Sequence, residues 1–144
     1  MKFAKTVFWI AAAWGVLTIT PLYFMFNFIG QTDPPAITHP GFFYGFAGCA
    51  LAWQLVFLVI ATNPVRYRPL MIPSFLEKLL YGAAVIILVR QGRMHVSDLA
   101  FAATDLILGV VFLVAYFKTH GRYISPGTSS PETVDMPVPK ISQK

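Results

Sequence analysis

The sequence predicts an all-α, polytopic membrane protein, an up-down bundle of four transmembrane helices. Three observations predict it. Hydrophobic residues make up 56% of the 144 and charged residues only 12%, whereas a soluble domain carries about a quarter charged residues. The apolar residues gather into four runs, each near the ~20 residues that a helix needs to cross a bilayer. The Lys and Arg residues stand around the ends of those runs, so the net charge of +5 marks topology and not a nucleic-acid partner.

The first span is read at residues 5–29, "KTVFWIAAAWGVLTITPLYFMFNFI". Lys2 and Lys5 before an alanine-containing apolar stretch resemble a signal peptide. The apolar region runs past Pro21 to Ile29, however, well beyond the ~7–15 residues of a signal core and without a small-x-small cleavage site, so an uncleaved span is expected. Pro21 should bend or loosen it.

The second span is read at residues 41–62. Gly41, Gly45, Gly48 and Ala52 recur every three or four residues along it and make a smooth face for helix packing. Packing within the bundle is expected there, with a homodimer interface as the alternative.

The third span is read at residues 74–91 and is the shortest and least purely apolar, with a re-entrant helix as the alternative. Ser74 followed by Glu77 has the spacing of a capping box, and Pro73 suits a helix start. Lys78 is placed within snorkelling distance of the headgroups.

The fourth span is read at residues 97–117. Ser97 is a candidate N-cap, Asp98 suits the positive end of the helix dipole, and Arg90 lies at a depth to pair with Asp98. The transmembrane domain therefore covers residues 1–118. Residues 119–144, rich in Pro, Ser and Thr without apolar periodicity, are expected to form a disordered cytoplasmic tail.

Orientation follows from the short loops. Lys2, Lys5, Arg66, Arg68, Lys118 and Arg122 fall on one side, against Arg90 and Arg93 on the other. Both termini are expected in the cytoplasm.

One residue resists a boundary explanation. Asp105 lies about two turns into the fourth span, roughly 12 Å from Ser97 at 1.5 Å per residue, where a carboxylate costs about 2.5–3.5 kcal/mol on insertion scales. It shares a helix face with Asp98, Ala102, Gly109, Phe112 and Tyr116. Gln54 and Tyr81 fall near its level, and Lys78 lies about a turn further toward the cytoplasm on a long stem. A midplane cluster of Gln54, Tyr81 and Asp105 is expected, serving either as interhelical glue or as a ligand or proton site.

Metal and cofactor chemistry find no residues to carry them. Cys49 is the single cysteine, there is no C-x-x-C, and His39, His95 and His120 are placed in loops or tail. No cofactor or metal is expected.

The stretches "HPGFFYGFAGCALAWQLVFLVI", "NPVRYRPLMIPSFLEKLLYGAAVIILVRQGR" and "ATDLILGVVFLVAYFKT" together resemble a functionally uncharacterised family of small bacterial four-helix integral membrane proteins. The resemblance covers roughly residues 38–119, with "RYRPLM" and the following "LEK" as its most specific elements. In layout the chain is also distantly similar to DoxX-like proteins, which is a likeness of topology alone. The family resemblance implies a bacterial inner-membrane location and supplies no catalytic residues.

The leading functional expectation is a non-catalytic accessory or small-molecule- or lipid-binding membrane component, with membrane lipid and a membrane protein or second copy as partners. The alternatives are a membrane-embedded enzyme acting on a lipid, quinone or isoprenoid through Asp105, and a small proton-coupled transporter working as an oligomer.

Overall fold

The computed structural model describes residues 2–32 and 36–120. They form α1 (Lys2–Ile19), α2 (Leu22–Thr32), α3 (Pro40–Thr62), α4 (Met71–Arg90) and α5 (Leu99–Thr119), with short 3-10 turns at Arg68–Leu70 and Val96–Asp98. No strand occurs among the described residues. Four helical segments are long and apolar enough to cross a membrane: Lys2–Ile19, Pro40–Thr62, Arg68–Arg90 and Val96–Thr119.

Proline and its neighbours place most of the boundaries. The run expected as one span over residues 5–29 is two helices, because Pro21 lacks an N–H and its ring obstructs the preceding turn. The chain restarts at once, with the Tyr23 N–H donating to Thr20 O at 3.3 Å and the Phe24 N–H to Pro21 O at 2.9 Å. At 11 residues, α2 is only about 16 Å long, too short to cross a bilayer; the 18-residue α1 is the part of the run long and apolar enough to do so. Helix α3 opens on Pro40 at its first position and ends at Thr62, because Pro64 bars the intervening Asn63 from helical geometry.

Helix α4 starts three residues before the expected Ser74, following directly on the Arg68–Leu70 turn. Pro73 falls in its first turn, where no N–H is needed. The helix stops in a Schellman motif: Gly92 has φ of +68°, its N–H donates to Val89 O at 3.0 Å, and the Arg93 N–H donates to Leu88 O at 2.9 Å. Helix α5 runs to Thr119, two residues past the expected end of the span, and residues 121–144, where the tail is expected, lie outside the described residues.

Helices α1 and α3 pack closely against each other, as do α4 and α5, and α1 joins the two pairs through α5. The pairs run antiparallel, as an up-down chain requires. The shared core lies at the end of the bundle where α1 begins. There Phe8, Phe57 and Phe112 are fully buried, with Phe8 stacked on Phe112 at 4.4 Å between centroids and Phe57 edge-on to Phe112 at 5.1 Å. Ala4, Ala11, Ala12, Ala61 and Ala115 fill the spaces around the rings.

Two glycines permit the close approaches. A Cβ on Gly15 would collide with the Gln54 amide and one on Gly82 would stand 2.7 Å from Leu106 Cγ, whereas one on Gly109 would be in ordinary contact, 3.4 Å from Lys78 Cβ. The face expected from Gly41, Gly45, Gly48 and Ala52 is largely not a packing face within the chain. Gly41, Gly45 and Ala52 are exposed, nothing lies within 4 Å of a Cβ on either glycine, and only Gly48 meets a neighbour, the Tyr23 hydroxyl. The reason is rotational: α3 turns Ala47, Ala50, Gln54, Phe57 and Ala61 inward instead, a stripe at helical spacing on another side of the helix.

Candidate functional site

Lys78 organises the polar interior. Its Nζ stands 3.1 Å from Asp105 Oδ1 on α5 and 3.3 Å from Glu77 Oε2 on its own helix, with its side chain 8% exposed. The ammonium also lies 5.6 Å from the centroid of the Phe57 ring on α3, within cation–π range. One cation thereby touches three helices.

The sequence dictates much of this geometry. Gly109 is one turn past Asp105 on the same face of α5, and the stem of Lys78 lies beside it, 3.4 Å from where a Cβ on Gly109 would stand. The ammonium then reaches the carboxylate one turn away. Lys78 was expected to snorkel toward headgroups; it turns inward because a charge-assisted hydrogen bond to a half-buried carboxylate offsets the desolvation of both groups.

Gln54 and Tyr81 do not join Asp105 in the expected cluster. Gln54 is 1% exposed, its Nε2 donates to Ala50 O at 2.8 Å within α3, and its amide lies against Gly15 of α1. Its depth fits the expectation, but it points toward a different helix. Tyr81 is half-buried and stacks on Phe46 at 5.8 Å between centroids. It joins α4 to α3.

The boundary residues are also rearranged. Ser74 lies inside α4 and its hydroxyl donates to Leu70 O at 2.7 Å, so the capping box with Glu77 does not form. The earlier helix start already places Ser74 in a full turn, and Glu77 goes to Lys78. At the other helix, His95 performs the role expected of Ser97: its Nδ1 accepts from the Ser97 N–H at 3.3 Å, while the Ser97 hydroxyl also bonds that nitrogen at 2.8 Å. Asp98 is the N-cap residue of α5 without a side-chain capping bond.

Arg68 is a structural residue that sequence reasoning treated only as a topology charge. It is 8% exposed, its Nε donates to Tyr116 O at 3.2 Å, and its guanidinium lies 3.7 Å from the centre of the Tyr116 ring. The signal available was the Arg-Pro pair at a helix start, but nothing in the sequence aims it at α5.

Among the described residues no group of three His, Cys, Asp or Glu side chains could hold a metal ion. A surface depression at the start of α3, lined by Thr38, His39, Pro40, Gly41 and Phe42, does not include the Lys78 cluster. No protein-family model, curated protein or solved structure matches the chain.

Proposed function

We infer that the chain is a multi-pass protein of a bacterial inner membrane, with both termini in the cytoplasm, and that it acts as a non-catalytic accessory component. The membrane reading is supported by large apolar side chains turned outward on all four long helices, among them Leu17, Leu55, Leu80, Ile107 and Phe117, each more than 60% exposed, far more than a soluble monomer shows. The observation that carries the accessory reading is the bridge from Lys78 to Asp105 at 3.1 Å. It commits the one deep carboxylate of α5 to holding α5 against α4. Partners reach such a protein through its lipid-facing helices, by contact with another membrane protein or a second copy.

One observation favours a second reading. Lys78 faces two carboxylates, Glu77 and Asp105, so the cluster holds one more acid than base. An enzyme acting on a lipid, quinone or isoprenoid, or a proton-coupled transporter, would use that surplus carboxyl.

Native mass spectrometry on protein released gently from its membrane separates the two. The accessory reading expects wild type and Asp105→Asn to carry the same lipids. A defined small molecule held by the wild type and lost from a folded Asp105→Asn protein overturns it.

A further inference from the structure

We propose that the bundle is built as a hinge. The α1–α3 pair and the α4–α5 pair swing about the layer of Phe8, Phe57 and Phe112, and Phe46 on Tyr81 is the latch that closes their far ends over the Lys78 cluster.

The packing is unequal along the bundle. The shared core takes Phe8 from α1, Phe57 from α3, Met71 from α4 and Phe112 from α5, all at the end where α1 begins. Ala47, Ala50, Val85 and Ala102 are buried too but stand outside that cluster. Ala47 and Ala50 share the stripe of α3 on which Gln54 meets Gly15 of α1, while Val85 and Ala102 continue the faces on which Gly82 of α4 meets Leu106 of α5. In this half of the bundle each pair is closed on itself. Helix α2 reinforces the first pair, with Tyr23 on Tyr44 at 5.9 Å and Phe26 on Phe43 at 5.3 Å between ring centroids.

Between the pairs the contacts thin out with distance from the core. Phe8 and Phe57 both meet Phe112, at 4.4 and 5.1 Å. Phe46 stands about 16 Å further along α3 than Phe57. There, among the described residues, the ring contact that joins the pairs is Phe46 on Tyr81, stacked at 5.8 Å with 19° between the planes. Phe46 is 48% exposed, so little apolar area holds the latch shut. A region with few buried apolar contacts opens at lower free energy than the core to which it is attached, and two pairs packed tightly within themselves open as rigid bodies.

The polar cluster lies between hinge and latch. The Lys78 ammonium, 5.6 Å from the centroid of the Phe57 ring, faces α3, and Tyr81 follows Glu77 by one turn on α4. Glu77, Lys78 and Asp105 all belong to the second pair. Opening therefore leaves the bridge from Lys78 to Asp105 intact and withdraws α3 from beside it. The hinge goes beyond the accessory reading and does not depend on it.

The test is distance measurement between spin labels on the full chain in mild detergent, in a Cys49→Ala background because Cys49 is exposed. Labels at Phe42→Cys and Ile87→Cys span the pairs at the far end, Thr62→Cys and Phe117→Cys span them near the hinge, and Ile87→Cys with Phe101→Cys stays within the second pair. All five positions are exposed. A shorter and a longer distance are expected for the first combination and a single distance for the other two. Phe46→Ala should raise the ratio of longer to shorter roughly two- to tenfold, the worth of an aromatic stack, and Tyr81→Phe, which keeps the ring, should leave it unchanged. An unchanged ratio in Phe46→Ala overturns the latch. Equal broadening near the hinge, or within the second pair, overturns the hinge, since the pairs would then be dissociating or the helix ends fraying.

Discussion

Lys78 and Asp105 meet 3.1 Å apart across the interface of α4 and α5, where the stem of Lys78 lies beside Gly109. Two residues that are each unfavourable alone in an apolar span become a fastening when they meet. The shape of Asp105 is then less important than its ability to accept from the ammonium. Asp105→Asn keeps an accepting oxygen while Glu77 still supplies a counter-charge, and it is expected to cost about 1 kcal/mol. Asp105→Leu removes the acceptor and is expected to cost about 2–4 kcal/mol, somewhat below the full cost of stranding a buried charge because Glu77 remains. Unfolding of both variants in one detergent gives the comparison; equal losses contradict the account.

Gly82 and Leu106 set the register of the same helix pair. A methyl on Gly82 would stand 2.7 Å from Leu106 Cγ, so Gly82→Ala is expected to destabilise by about 1–3 kcal/mol through overpacking. Adding Leu106→Ala to it should recover part of that loss. If Gly82→Ala unfolds at the wild-type midpoint, the helices are further apart than described.

Arg68 acts through its plane. It stacks on Tyr116 and donates from Nε to that residue's carbonyl, which an ammonium cannot do in the same geometry. Arg68→Lys is therefore expected to lower stability by about 1–2 kcal/mol although the charge is kept. Removing the ring with Tyr116→Leu should make the Arg68→Lys substitution markedly less damaging. Additive losses in the double variant would show that the stacking contributes nothing.

Gly92 ends α4 with φ of +68°, in the region that L side chains avoid. Gly92→Ala is expected to cost about 1–2 kcal/mol from backbone strain alone. Gly45→Ala is the control, since nothing lies within 4 Å of a Cβ there and its φ is not positive. A control as damaging as Gly92→Ala would indicate that the exposed face of α3 is covered.

The four long helices were legible because composition alone selects apolar runs, and Pro40 and Pro64 bracket α3 within one residue of its expected start. The break at Pro21 was less so, since hydropathy continues across it and only the covalent ring interrupts the helix. Ser74 shows another limit: its spacing to Glu77 fits a capping box, but a hydroxyl already inside a helix bonds the carbonyl four residues back. Asp105 was conspicuous as a carboxylate in an apolar run. Its partner was not, because depth along a helix says nothing about rotation around it. Gln54 has the expected depth and faces α1, while Lys78 reaches past its expected level to α5. The glycines that a side chain would displace, Gly15 and Gly82, differ from Gly41 and Gly45 only in what stands opposite them, which no spacing within one helix reveals.

A double-mutant cycle on Lys78→Met and Asp105→Leu, read as unfolding free energy in one detergent, tests most directly whether the polar cluster fastens α4 to α5. Coupling of about 1–3 kcal/mol is predicted, with the double variant more stable than Asp105→Leu because no ammonium is left with half its counter-charge. Additive losses, with coupling below about 0.5 kcal/mol, would contradict it and leave Asp105 to be explained by something it binds.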